Sequence, residues 1–98
     1  MSDKVVCHTP TPGKLPTSIP TWKYALLRAA ILETVPTSAP GMAAKDLPDV
    51  IRGKLPADKL KELGSVAWHT TTVRLNMEVD GELERIPGSK PMHLVRSG

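Results

Sequence analysis

The fold of this chain is decided by residues 66–86, which read VAWHTTTVRLNMEVDGELERI. The first part of the stretch carries apolar residues at helical spacing. Asp80-Gly81 follows as a stop, because glycine readily adopts the positive φ that ends a helix. The stretch therefore predicts a helix over about Val66 to Val79, followed directly by a short β-strand over Leu83 to Ile86.

Two apolar stripes run along this predicted helix. They lie roughly opposite each other at 100° per residue, so we expect the helix to be buried on more than one side. We also expect the Trp68 ring to pack in the core rather than to stack on a base. The first stripe consists of Trp68, Thr72, Leu75 and Val79, and the second of Val66, Val73 and Met77.

Downstream of the helix the sequence predicts a β-hairpin. Its strands are expected over residues 83–86 and 92–95, with a turn from Pro87 to Lys90 between them. A Pro-Gly pair such as the one at this turn is a strong turn signal. The residues expected to face the helices are Leu83, Met92 and Leu94.

Upstream of the stretch the sequence predicts a first helix over residues 22–35. Thr21 is expected to cap this helix, and Pro36 is expected to end it through its effect on the residue before it. A very short strand is expected at residues 41–43. The core-facing stripe of the helix comprises Tyr24, Leu27, Ile31 and Val35.

Two further helical segments are expected before the deciding stretch. One covers residues 45–55, with Pro48 accepted only in its first turn. The other begins at Pro56. Gly64 suits the left-handed position after a helix, and Ser65 suits the N-cap of the next one. Because a signal that ends one helix is followed at once by a signal that begins the next, the sequence predicts a tight corner between the two helices.

The first nineteen residues differ in character from the rest of the chain. Four prolines fall within the first twenty residues, mixed with Thr, Gly and Ser, and proline lacks the N–H that helices and sheet interiors need. Residues 1–19 are therefore predicted to be an extended or disordered N-terminal arm, with Val5 and Val6 as a candidate edge strand on the body. Residues 20–98 form the predicted domain.

Composition bounds the class of protein. A chain of 98 residues makes one small domain, and without Phe its core must be mostly aliphatic. No apolar run approaches the length of about 18 residues that a membrane span needs. Cys7 is the only cysteine, so no intrachain disulfide forms, and a lone thiol fits a reducing compartment. We therefore expect a cytoplasmic protein without a membrane partner.

Catalytic and metal chemistry is not expected. Cys7-His8 is the only reactive-looking pair, and nothing in the Pro/Thr-rich arm indicates that the pair is oriented or that its thiol is activated. The spacing of Cys7, His8, His69 and His93 matches no zinc pattern, and there is no glycine-rich phosphate loop. We therefore predict a non-enzyme with no catalytic residue, no metal and no cofactor.

The order of elements resembles a winged helix, which is a helix-turn-helix with a hairpin wing. The residues that carry the resemblance are Thr72 to Ile86, since a recognition helix that ends in an acid, a glycine, a large apolar residue and then Glu-Arg is common in winged-helix regulators. The resemblance covers about residues 21–95. It implies an α+β fold with a three-helix core, a C-terminal β-hairpin wing and an extended N-terminal arm.

The stretch from Trp68 to Pro91 is also similar to a family of small bacterial winged-helix-like proteins to which no function is assigned. The shared features are the Trp, the Thr-Val-Arg-Leu core, the Gly and the Pro-Gly-Ser-Lys-Pro turn. This likeness implies a winged-helix fold and a bacterial cytoplasm. It transfers no activity.

The winged-helix resemblance implies a DNA-binding regulator. In such proteins the third helix enters the major groove, and the wing touches the DNA backbone or the minor groove. A homodimer would then read two half-sites. The implied contacts are His69, Thr70, Thr71 and Arg74 on the helix, Arg85 and Lys90 on the wing, and Lys59 and Lys61 before the helix.

The charge pattern opposes this function. The net charge of the chain is only +3, and residues 65–80 hold one base, Arg74, against Glu78 and Asp80. Acids beside the groove oppose binding, because phosphate neutralisation supplies most of the non-specific affinity. Arg74 either reads a base or pairs with Glu78 one turn later. The alternative function is a non-enzymatic protein-interaction or dimerisation module on the same scaffold.

Overall fold

Prolines and glycines interrupt this chain at short intervals, and its strands are correspondingly short. The computed structural model describes residues 3–10 and 13–97. Within those residues the protein is α+β, with four α-helices and two small antiparallel sheets. The strands are β1 (Lys4–Cys7), β2 (Thr17–Pro20), β3 (Met42–Ala43), β4 (Leu83–Arg85) and β5 (His93–Arg96), and the helices are α1 (Thr21–Thr34), α2 (Leu47–Lys54), α3 (Ala57–Leu63) and α4 (Val66–Val79).

Helix α1 begins one residue earlier than the sequence predicts. Pro20 occupies the N-cap position without a side-chain cap bond, so the predicted cap at Thr21 is wrong. The Thr21 N–H instead donates to the Asp3 carbonyl oxygen at 2.7 Å, which continues the pairing of β1 with β2 into the first helical residue. At the other end Val35 is extended, as expected for the residue before Pro36.

The corner that leads into α4 forms as predicted. Gly64 adopts a φ of +79° after α3, and the Ser65 side chain caps α4 by accepting a hydrogen bond from the Trp68 N–H at 3.1 Å. Helix α4 then runs over the predicted residues. Helix α2 is shorter than predicted, because a 3₁₀ turn, Ala44–Asp46, precedes it, and Pro48 lies in its first turn.

The C-terminal strands form a three-stranded sheet in the order β3-β5-β4. Leu94 of β5 pairs with Met42 on one side and Arg85 on the other. The short strand predicted at residues 41–43 is therefore present, over Met42–Ala43. Gly41 has a φ of +71°, and a Cβ there would collide with the Leu94 carbonyl oxygen. Only glycine therefore fits where β3 begins.

The segment that was expected to be an extended or disordered arm forms a hairpin over its described residues. β1 pairs antiparallel with β2, and Val5 stands opposite Ile19. Val5 and Val6 thus pair within the segment rather than with the body. Cys7 and Ile19 are buried in the same core as the helices, and this burial holds the hairpin in place. Residues 1, 2, 11 and 12 of the expected arm lie outside the described residues.

Helix α4 lies at the centre of the molecule and contacts α1, α2, α3, β1 and β4. The predicted aliphatic core is confirmed: Leu27, Ile31 and Val35 of the α1 stripe are buried, as are Val73 and Met77 of α4. Leu83 and Leu94 enter from the sheet, as predicted. Among the described residues, no helix has the length and apolar character needed to span a membrane.

Candidate functional site: a groove beside α4

A groove of about 400 Å³ separates α4 from the N-terminal hairpin. One wall is α4, and the other is formed by the end of β1, the start of β2 and described residues between these two strands. We call this feature the α4 groove. Its α4 wall consists of Trp68, Thr71, Thr72 and Leu75, and its hairpin wall consists of Cys7, His8, Thr9, Lys14, Leu15 and Thr17.

The α4 wall includes three residues of the first of the two apolar stripes in the sequence, Trp68, Thr72 and Leu75. The second stripe fills the core, whereas the Trp68 side of the helix opens to the groove. Trp68 is 48% exposed, so the expectation that its ring packs in the core is wrong. The ring rests edge-on against His69, with ring centroids 4.8 Å apart. The sequence predicts that α4 is buried on more than one side. On the face that carries Trp68, the burial is incomplete.

Asn76 holds the hairpin wall against α4. Its side chain is almost fully buried, and its Oδ1 accepts a hydrogen bond from the His8 backbone N–H at 2.8 Å. Its Nδ2 donates to the Tyr24 hydroxyl at 2.8 Å and to Asp80 Oδ2 at 3.3 Å. One amide on α4 thus bonds to α1 and to the residue that follows β1. The sequence analysis did not identify this role; the available signal was an asparagine within a helix, where it is intrinsically unfavourable.

The Cys7 thiol, at the inner end of the groove, is not activated as a nucleophile. Burial raises the pKa of Cys7, and the negative charge of Asp80 raises it further. The thiol therefore stays protonated at neutral pH, and the thiolate is the form that acts as a nucleophile or a metal ligand. Among the residues that the structure describes, no group of three or more His, Cys, Asp or Glu side chains could hold a metal ion.

The charge at the mouth of the groove is positive. Lys14 lies on the hairpin wall, and the lining contains no carboxylate within the described part of the chain. Lys14 makes no hydrogen bond or ion pair with any other described residue. Leu15, next to Lys14, is 88% exposed. The groove therefore combines open apolar surface with a cation that is free to bind an anion.

The two arginines predicted to contact DNA are both bound to Glu78. Arg74 Nη1 lies 2.6 Å from Glu78 Oε2, and the Glu78 side chain is 6% exposed. Arg85 pairs with the other oxygen of the same carboxylate. Burial lowers the pKa of Arg74, and the charge of Glu78 opposes that shift. Of the two roles that the sequence left open for Arg74, the structure forms the ion pair.

The remaining predicted DNA contacts do not form one surface. Thr70 is buried in the core, and its hydroxyl has no hydrogen-bond partner among the described residues. The His69 ring is bonded to the Ser65 carbonyl oxygen at 2.7 Å. Thr71 lies in the α4 groove. The lysines lie elsewhere: Lys59 and Lys61 on α3, where Lys59 Nζ is 5.5 Å from the centre of the Trp22 ring, and Lys90 at the exposed turn between β4 and β5.

The fold and the groove define a small α+β protein with a solvent-open groove beside its central helix. The chain belongs to a family of unknown function, DUF6958, whose model matches residues 4–94. The match includes both walls of the α4 groove. No curated protein and no solved structure matches the chain.

Proposed function

We propose that this protein is a non-enzymatic interaction module on a winged-helix scaffold, and that its α4 groove binds a short segment of a partner protein. One observation carries the proposal. The outward face of α4 presents an exposed Trp68 beside an open groove, while Arg74 and Arg85 are both occupied by Glu78. The bacterial cytoplasm is the location that we propose, in keeping with a lone cysteine.

The order of elements supports the winged-helix part of the proposal. Helices α1, α2 and α4 correspond to the three helices of that fold, β3 to its first short strand, and β4 with β5 to the wing. The sheet order β3-β5-β4 places the last strand in the middle, as a wing that folds back onto the first strand requires. The chain differs from the simple pattern by the additional short helix α3.

The surface chemistry favours a protein partner over duplex DNA. Exposed aromatic side chains are enriched where proteins bind one another. DNA recognition instead needs Arg or Lys side chains that can reach base edges and phosphates. Arg74 is 13% exposed and bound to Glu78, so its guanidinium is not available to a base.

Duplex DNA is the second candidate partner. It is favoured by the element order and by Lys61 and Lys90, which are exposed and form no ion pair within the described part of the chain. Fluorescence anisotropy with a random duplex at low and moderate salt separates the two candidates. We expect no saturable binding at moderate salt. Saturable binding that Lys61→Ala and Lys90→Ala both weaken would favour DNA instead.

Site-directed photo-crosslinking tests the protein-binding function. A benzophenone amino acid at position 15, at the exposed rim of the groove, is irradiated in a cell extract and the adducts are identified. We expect an adduct that Trp68→Ala removes and that Trp22→Ala, a tryptophan outside the groove, retains. The captured protein, once purified, should bind the unmodified chain directly. An adduct insensitive to Trp68→Ala, a captured protein that does not bind when purified, or adducts only between copies of this chain would contradict the proposal.

A further inference from the structure

We infer that the segment accepted by the α4 groove carries a large apolar side chain next to a carboxylate. This inference rests on the proposed function and specifies its ligand. Two halves of the groove lining carry it: an apolar half around Trp68 and a cationic half around Lys14.

The apolar half is solvent-exposed surface that a partner would bury. The Trp68 ring is about half exposed and Leu15 is almost fully exposed, and Leu75 continues the same wall. Burying apolar surface is favourable in proportion to its area. An aromatic ring also contributes a large contact area with little loss of side-chain freedom. A large aliphatic or aromatic side chain therefore suits this half of the groove.

The positive charge of the cationic half favours a negative charge on the part of the bound segment that lies beside it. Lys14 lines the hairpin side, and within the described residues no carboxylate of the lining offsets its charge. Lys14 has no intramolecular ion pair there. A carboxylate on the partner segment would gain a charge-assisted hydrogen bond from the ammonium group. A lysine at the same place would be repelled.

The hydroxyl groups of the α4 wall complete the site. Thr72 donates to the Trp68 carbonyl oxygen at 2.8 Å, so its hydroxyl is already engaged within the helix. The Thr71 hydroxyl makes no hydrogen bond with a described residue and is available to a backbone N–H or C=O of the bound segment. This arrangement suits a short peptide, whose backbone polar groups need partners when they are buried.

Fluorescence anisotropy with defined peptides tests the chemistry. The probe is a fluorescein-labelled octapeptide of alternating leucine and glutamate. One control peptide replaces glutamate by lysine, and the other replaces leucine by serine. Four variants accompany the wild-type chain: Lys14→Glu and Trp68→Ala change the groove, whereas Lys61→Glu and Trp22→Ala make the same changes outside it. Circular dichroism of each variant establishes that it is folded.

We expect saturable binding of the leucine-glutamate peptide at least about tenfold tighter than that of either control peptide, a difference of about 1.4 kcal/mol. Lys14→Glu and Trp68→Ala should each weaken it by about fivefold or more, and the two matched variants by less than about twofold. In Trp22→Phe, which leaves Trp68 as the one tryptophan, the emission should shift to shorter wavelength on binding as the ring leaves water.

Three results would overturn the inference. The first is the absence of saturable binding, and the second is equal binding of the leucine-lysine peptide. The third is an equal loss in Lys14→Glu and Lys61→Glu. If crosslinking at position 15 still captures a partner that needs Trp68, the interaction function stands and only the assigned ligand chemistry is wrong. If crosslinking also fails, the function itself is refuted.

Discussion

Asn76 is the polar residue on which the groove depends. Its buried amide is bonded to the His8 N–H, the Tyr24 hydroxyl and Asp80. An apolar replacement would leave the His8 N–H without its partner, and an unsatisfied buried polar group is more costly than a missing bond between exposed groups. Asn76 therefore contributes both to stability and to the position of the hairpin wall.

Asn76→Ala is predicted to lower the free energy of unfolding by about 2–3 kcal/mol. Tyr24→Phe, which removes one of the three partners, should lower it by about 1 kcal/mol. Urea denaturation followed by circular dichroism measures both effects. A loss below about 0.5 kcal/mol in Asn76→Ala, the range of ordinary surface substitutions, would show that this network does not hold the hairpin.

The buried thiol of Cys7 predicts a loss of stability at alkaline pH. Burial raises the pKa of Cys7 in the folded chain, so the folded state binds that proton more tightly than the unfolded state does. The stabilisation is complete below about pH 8.5, the pKa of an unburied thiol, and is lost as the pH rises through the folded-state value. The pKa of Tyr24 is also raised, mainly by burial, and acts in the same direction.

Thermal unfolding at pH 7 and at higher pH measures this dependence. We expect the melting temperature to fall between pH 8 and about pH 10, and to fall less steeply in Cys7→Ala. Tyr24→Phe is the companion variant for the second group. An identical decline in Cys7→Ala and the wild-type chain would mean that the thiol proton is not linked to folding.

Among the elements, α4 and the corner before it could be predicted because their signals are local. Gly64, Ser65 and Asp80-Gly81 mark the ends of α4 within a few residues of the chain, and each signal has a backbone cause. The C-terminal strands and the short β3 could likewise be predicted from the sequence. The winged-helix assignment itself stays a proposal.

The N-terminal hairpin and its groove wall could not be predicted in the same way. Each strand has four residues, and each buries one strong anchor, Cys7 or Ile19. A strand is recognised in a sequence by the alternation of apolar and polar residues. That alternation cannot be seen when each strand buries a single residue within a proline-rich segment. The role of Asn76 was missed for a related reason, since its partner His8 is 68 positions away in the chain. Thr71 was predicted as a DNA contact on α4, whereas in the structure it lines a groove that exists only because the hairpin packs there.

Ile19→Ala tests whether the hairpin is part of the folded unit. Ile19 is 2% exposed, so truncation should lower the free energy of unfolding by about 2–5 kcal/mol, as for other buried aliphatic residues. Val6→Ala is the matched control: it lies in the same hairpin but is half exposed, and it should change stability by less than about 0.5 kcal/mol. Urea denaturation provides both values. Equal, small effects would mean that residues 4–20 behave as a detached arm.

At the scale of the whole molecule, the modest net charge conceals how the charges are paired. Glu82 binds Arg28 through both of its oxygens, with distances from Arg28 Nε of 3.1 and 2.9 Å. Glu78 binds Arg74 and Arg85. Glu78 therefore does more than add a negative charge near the end of α4, because it also binds the two arginines that a winged-helix regulator would use. Glu78 is therefore the residue that we predict to decide whether this face can bind nucleic acid.

Glu78→Gln is predicted to allow the face formed by α4 and β4 to bind nucleic acid. The substitution removes a carboxylate shared by two guanidinium groups, and the loss should lower stability by about 3 kcal/mol, as for a buried pair deprived of one partner. In the fraction that circular dichroism shows to be folded, Arg74 and Arg85 are free to contact phosphates. Anisotropy with random duplex DNA should then show measurable binding at low salt. The slope of log affinity against log salt should steepen by up to about 1.8, which is two phosphate contacts.

Glu84→Gln distinguishes released arginines from a simple change of net charge. Glu84 lies on the exposed side of β4 and forms no ion pair within the described residues, so its substitution adds the same charge without freeing a guanidinium. Because long-range attraction depends on total charge, both variants should gain equally if charge alone is responsible. A larger gain and a steeper salt dependence in Glu78→Gln alone would show that this one carboxylate keeps the face of α4 and β4 from binding DNA. Equal behaviour of the two variants would refute that role.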